Sequence, residues 1–258
     1  MARLRRVDFE DRLSLVDHLD ELRTRLIVSV GALVVAFGVC FWQNHFLLRL
    51  ANDPLPGEKK PLTFGVAEPF MTTLTVAAYA AIIVALPLIL YQLYAFVLPA
   101  FSPAERRTLT PILVLVPILF LAGVVFSYYV VLPAAIKFLL NFNDDQFNIQ
   151  VRARDYYGFV AMTLLSLGIV FQIPIAILAV SRLGIISARQ LAKNRRIAYV
   201  VIAVIAMALP GTDPVTMLIE MVPLLILFEL SVLLARVVER SSARARTGVV
   251  QREGDSPA

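Results

Sequence analysis

The chain is poor in the residues that usually carry chemistry. Among 258 residues it has one cysteine, Cys40, and two histidines, His18 and His45. A single cysteine set in an apolar run forms no internal disulfide, which excludes a small scaffold held by cross-links. The histidines fall on either side of the first long apolar run, so they cannot share a metal ion. No G-x-S-x-G, H-E-x-x-H, Walker loop or G-x-G-x-x-G occurs, and an enzyme reading has no nucleophile, phosphate loop or metal set to rest on. No catalytic residue, cofactor or metal site is expected, and any ATP hydrolysis would belong to a partner. Charged residues are 17% of the chain, and most of them fall in blocks between long apolar runs.

Apolar residues make up 59% of the chain and the mean hydropathy is +0.78. A soluble domain needs only about half apolar residues around one core, so the excess points to a polytopic membrane protein. Six spans are predicted, at 26–46, 70–98, 108–132, 156–180, 196–209 and 215–238. The basic blocks between them alternate in strength. Residues 3–25, 106–107, 182–196 and 236–252 hold six, two, five and five Lys and Arg, whereas 49–60, 137–154 and 211–214 hold three, three and none. Positive charge resists translocation, so the richer blocks are cytoplasmic and both termini lie inside. The cations flank apolar spans, so topology and anionic lipid explain the net charge of +5 without nucleic acid. A long polar segment precedes the first apolar run, and no cleavable signal peptide is expected.

The chain therefore divides into a cytoplasmic segment 1–25, a six-helix transmembrane domain 26–238, and a polar tail 239–258 expected to be disordered. Ser14 and Asp17 have capping-box form, predicting a helix start near Ser14. Leu15, Leu19, Leu22 and Leu26 then make an apolar stripe at helical spacing, so an amphipathic helix runs into the first span. The fifth span is short, and the link 211–214 permits only a tight turn. Asp213 followed by Pro214 suits an N-cap and first helical residue, which makes the last two spans a short hairpin that thins the bilayer locally. Prolines 87, 111, 117, 133, 174 and 223 bend the spans that carry them.

Some polar residues lie inside these spans. A carboxylate at mid-bilayer costs about 2.5–3.5 kcal/mol on insertion scales, so it faces protein or water. Glu229 reads as a functional or structural polar contact. Glu220, nine residues before it, lies on the opposite helix face and either meets a partner or reaches the interface. Gln172 is a buried amide that needs hydrogen-bond partners, in a helix–helix contact or at a substrate. By spacing alone, Glu21 and Glu105 read as solvated partners of Arg25 and of Arg106 or Arg107.

The string His18-Leu19-Asp20-Glu21-Leu22-Arg23-Thr24-Arg25-Leu26 resembles the N-terminal signature of the twin-arginine translocase TatC family. The likeness continues through Glu68-Pro69-Phe70, Pro87-Leu88, Tyr94-Ala95-Phe96-Val97-Leu98-Pro99-Ala100, Glu105-Arg106-Arg107, the turn at 210–214 and Leu227-Phe228-Glu229-Leu230. The resemblance implies a cup-shaped, six-helix receptor in the cytoplasmic membrane. It implies binding of signal peptides with two adjacent arginines and export of folded proteins on the proton motive force, in an oligomeric complex with single-span TatA/TatB-type subunits. By position it makes Glu21 and Glu105 the arginine acceptors, with Arg23, Leu26 and Phe96 beside them, and adds Pro54, Asp213 and Glu229 as functional positions. The family often has glutamate where this chain has Gln172, an amide that can hydrogen-bond but carries no charge. Partner helices are expected to dock on the short hairpin near Met207 and Met217, with Glu220 available to them. A secondary transporter and a passive membrane scaffold are the alternatives, tested by flux in liposomes and by copurification without precursor binding.

Overall fold

The computed structural model describes residues 9–57, 60–97, 103–182, 187–211 and 213–254; the side chains of 9–17, 97, 103–113, 182, 188 and 237–254 lie outside the description. The order is α1 (Phe9–Trp42), α2 (Asn44–Asn52), α3 (Glu68–Val97), α4 (Pro103–Phe126), a π-helical turn (Ser127–Val131), α5 (Leu132–Asn141), α6 (Ala153–Val170), α7 (Ile173–Arg182), α8 (Ala188–Lys193), α9 (Arg195–Ala208) and α10 (Pro214–Gly254). Among the described residues there is no strand, only an isolated parallel bridge between Leu62 and Arg152. The all-helical expectation holds.

Five helical stretches are long and apolar enough to cross a bilayer: His18–Trp42, Glu68–Phe96, Val114–Asn141, Ala153–Ser181 and Pro214–Arg236. The fifth of the six expected spans is α9, with 14 residues. At 1.5 Å per residue it is about 21 Å long, against about 30 Å of hydrocarbon. Asp213 does cap α10. Its Oδ1 accepts the Thr216 N–H at 2.8 Å and its Oδ2 accepts the Thr216 hydroxyl at 2.6 Å, a cap of about 1 kcal/mol.

Three boundaries differ from expectation. α1 begins at Phe9, so Ser14 lies inside the helix rather than at its cap. The third apolar stretch does not stop near Pro133. Proline has no N–H to give the carbonyl four residues back, and its ring crowds that carbonyl. The π turn at Ser127–Val131 widens the helix just before the proline, and α5 continues with Pro133 in its first turn. The third change is at the C-terminus. The polar tail expected to be irregular from 239 is backbone-continuous with α10 to Gly254; its Ala, Arg, Glu and Gln content tolerates helix, and no proline interrupts it before Pro257.

Small residues set the packing of the longest helices. Ala36 and Cys40 of α1 meet Ala77, Ala81 and Ala85 of α3, which lets two spans approach closely without a polar seam. Phe120 of α4 is fully buried against Gly168 of α6. A second core joins α10 to α9 through Leu224, Phe228, Val232, Ile202 and Ala206. A third gathers Leu55, Val76, Leu132, Ile136, Tyr156 and Val160. There the tyrosines tie the short helix α2 down. Tyr156 donates to the Ala51 carbonyl at 2.7 Å, Tyr157 to Asn52 Oδ1 at 3.0 Å, and Tyr128 to the Leu50 carbonyl at 2.9 Å.

Candidate functional site

Glu21 and Arg25 are four residues apart on α1, with the acid on the N-terminal side, the favourable order on a helix. Arg25 Nε and Nη2 both donate to Glu21 Oε1, at 3.0 and 2.6 Å. Arg25 Nη1 donates across to Gln92 Oε1 of α3 at 2.9 Å. One turn before Glu21, the His18 ring stacks on Phe96 with centroids 4.3 Å apart, and its Nδ1 is 3.8 Å from Glu21 Oε2. The start of α1 and the end of α3 are thus tied at one end of the bundle. Glu21 keeps 35% of its side-chain surface exposed. Its Oε1 is saturated by Arg25, and its Oε2 has only the long approach of His18. The cluster is therefore a carboxylate with one free face.

Of the other residues assigned to this site, Phe96 is in the cluster through His18. Arg23 and Leu26 are exposed on the same stretch of α1. Glu105 lies in the first turn of α4, separated from α3 by residues 98–102; its side chain is outside the described residues.

The remaining sequence-derived positions are scattered. Pro54 follows α2, beside buried Leu55. Gln172 sits at the break between α6 and α7, and its Nε2 donates to the Val116 carbonyl at 3.1 Å. Its Oε1 is buried without a partner among the described residues. Glu229 is a contact between neighbouring helices. Its Oε2 lies 2.8 Å from Arg195 Nη2, and its Oε1 accepts the Tyr199 hydroxyl at 2.7 Å. Glu220 differs. It shares the inward stripe of α10 with Thr216, Leu224 and Ser231, is fully buried, and has no partner for either oxygen among the described residues. The residue thus faces away from the outer surface of the hairpin. Met207 lies on that surface, while Met217 is half-buried in the α9–α10 core.

One cluster escaped sequence reasoning. At the α2 end, Arg152 Nε donates to Glu68 Oε1 at 2.8 Å, while the N–H groups of Phe64 and Gly65 donate to Oε2 at 2.8 and 3.1 Å. The guanidinium lies over the Phe64 ring, 5.8 Å from its centroid, and the Glu68 hydrogen bond pushes the Arg152 pKa further up. The partners are 84 residues apart, so no local spacing announces them. The only signal was a carboxylate starting one span opposite a basic pair starting another.

The sequence matches the family profile described as Sec-independent protein translocase protein (TatC) over residues 17–223. It is similar to the Sec-independent protein translocase protein TatC of Carboxydothermus hydrogenoformans, 36% identical over 233 residues that cover 89% of this chain and 96% of that one. The protein of the same name from Synechocystis is 39% identical over 205 residues, 79% of this chain and 80% of its own. A crystal structure described as the twin arginine translocase receptor TatC in DDM superimposes with a TM-score of 0.74 at 31% identity, covering 84% of this chain and 99% of the other. With these likenesses, the five span-length helices make the chain a multi-pass membrane protein.

Proposed function

Since the chain belongs to the TatC family of Sec-independent protein translocase proteins, we propose that it is the receptor subunit of a twin-arginine translocation system. It sits in the cytoplasmic membrane with both termini inside. It binds signal peptides carrying two adjacent arginines and passes folded proteins across the membrane on the proton motive force, a role in transport rather than catalysis. The observation that supports this best is the half-occupied carboxylate of Glu21.

A guanidinium prefers a planar acceptor that can take two parallel hydrogen bonds. Glu21 Oε2 offers the first acceptor, and Oε1 completes the pair once Arg25 moves aside. Arg25 holds Oε1 but also holds Gln92, so it can yield Glu21 to an incoming arginine without losing every acceptor. Glu105, at the start of α4, receives the second arginine. Arg23, Leu26 and Phe96 border the site, and the apolar part of the signal peptide continues along the bundle. Away from this site, Pro54 ends α2, Asp213 caps α10, Glu229 holds α10 to α9, and Gln172 braces the α6–α7 break against α4. A photo-crosslinker near Glu105 tests the reading. Crosslinking of a twin-arginine precursor should disappear when Arg-Arg is replaced by Lys-Lys; equal crosslinking of the two precursors, or none of either, would remove the receptor role.

Single-span TatA/TatB-type helices dock on the outer face of α9 and α10, at Met207 and the exposed part of Met217, in a complex of several subunits. Glu220, turned inward, is not presented to them. A cysteine at position 207 should crosslink to a partner helix. Strong crosslinks elsewhere on the bundle with none at this position would reject the docking face.

A further inference from the structure

A cleft of about 740 Å³ opens between the first turns of α3 and α6, lined among others by Glu68, Met71, Tyr79, Arg152, Arg154 and Gly158. Its rim carries two guanidiniums, Arg152 and Arg154. Glu68 is the acid in the lining, and both its oxygens are already taken, by Arg152 and by the N–H groups of Phe64 and Gly65. Arg154 forms no ion pair among the described residues. Two helices begin at this rim, each with an acid in its first turn, Glu68 on α3 and Asp155 on α6, so the attraction for an anion comes from the guanidiniums rather than from the helix ends.

Below the rim the lining carries no further charge and mixes Met71 with Thr72, Thr75 and the ring of Tyr79. Met71, Thr75 and Tyr79 recur every fourth residue on α3 and descend about 12 Å along it. The Thr75 hydroxyl is bonded back to the Met71 carbonyl at 2.8 Å, so it adds little polarity. Across from them Gly158 leaves the slot open, because a Cβ built there meets no atom within 4 Å. The cleft begins where two membrane spans begin, at the level of lipid headgroups, and descends toward their chains.

We propose that this cleft binds one anionic phospholipid, its phosphate on Arg154 and Arg152 and an acyl chain in the slot beside Gly158. A free phosphate would satisfy the arginines but leave the slot without a purpose. The site lies apart from the Glu21 cluster and is independent of the receptor reading.

The test uses the full-length protein in detergent, incubated with mixed phosphatidylglycerol and phosphatidylcholine vesicles and examined by native mass spectrometry. The parent should retain one phosphatidylglycerol in preference to phosphatidylcholine. Arg154→Gln should lower that retention about ten-fold or more, with Arg154→Lys in between. Gly158→Leu, which fills the slot and leaves the charges alone, should lower it comparably. Arg189→Gln on α8 should change nothing, and millimolar glycerol phosphate should not compete. Equal retention of the two lipids, parental retention by both Arg154→Gln and Gly158→Leu, or an equal loss with Arg189→Gln would overturn the site. Loss with Arg154→Gln alone, together with competition by glycerol phosphate, would overturn the lipid assignment in favour of a soluble anion.

Discussion

Glu21→Ala should weaken crosslinking of a twin-arginine precursor by ten-fold or more while leaving thermal unfolding within about 1 kcal/mol of the parent. The two effects separate because Glu21 does little for the fold. Its bond to Arg25 is an i,i+4 pair on a partly exposed helix face, an arrangement that contributes about 0.3–0.5 kcal/mol, and Arg25 retains Gln92 after the change. Binding is another matter. Hydrogen bonds to a charged group contribute about 1.5–3 kcal/mol, equivalent to roughly 10- to 150-fold in affinity. Glu21→Gln, which keeps an acceptor but no charge, should fall between. Glu105→Ala should behave like Glu21→Ala. The check is precursor crosslinking alongside detergent thermal unfolding for each variant. Parental crosslinking by both alanine variants would end the arginine-acceptor assignment.

Gly123→Ala should be the most damaging of the alanine changes at the helical glycines, costing about 1–3 kcal/mol by overpacking. A Cβ at Gly123 would lie 2.8 Å from the Leu167 carbonyl oxygen and 2.8 Å from Phe171 Cγ. The carbonyl belongs to the backbone of α6 and cannot rotate away, so the whole α4–α6 contact must open. Gly168→Ala should cost less. Its Cβ meets the edge of the Phe120 ring at 2.6 Å, and a ring can shift where a backbone cannot. Gly38→Ala on α1 is the control, since nothing lies within 4 Å of its Cβ. Thermal unfolding in one detergent should rank them Gly123, Gly168, Gly38 from most to least destabilised. A Gly123→Ala protein as stable as the Gly38→Ala one would show that α4 and α6 do not pack at this distance.

Local signals were legible in the sequence, and distant ones were not. Asp213-Pro214 marked the start of α10 to the residue because an N-cap and its proline are adjacent in the chain. The α9 span, expected at 196–209 and found at Arg195–Ala208, was bounded by charge on one side and a tight turn on the other. The Glu21–Arg25 pair followed from helical spacing. Its tie to Gln92, 67 residues on, did not. Helix α2 was missed because 44–52 mixes polar and apolar residues, and its place depends on hydroxyls from Tyr128, Tyr156 and Tyr157 reaching back across the fold. Glu220 was assigned an ambiguous face because spacing on one helix shows which residues align but not which side meets the neighbours. The family likeness drew on short strings spread along the chain, whereas the cleft at Arg154 arises where two helix starts meet in space.

The π turn at Ser127–Val131 also makes the bundle count residues. An α-helix advances about 100° per residue, so the extra residue held in that turn sets the rotation of everything after it. Leu132, Ala135 and Ile136 face inward on α5 only in this phase. Deleting one residue from the segment would restore an ordinary helix and turn Leu132 and Ile136 away from Leu55 and Tyr156 by about 100°. Substitutions at exposed Tyr129 and Val130 are tolerable here, but a one-residue deletion is a frame error in three dimensions. Relatives that keep the α2 clasp should therefore keep the length of this segment even where its letters change.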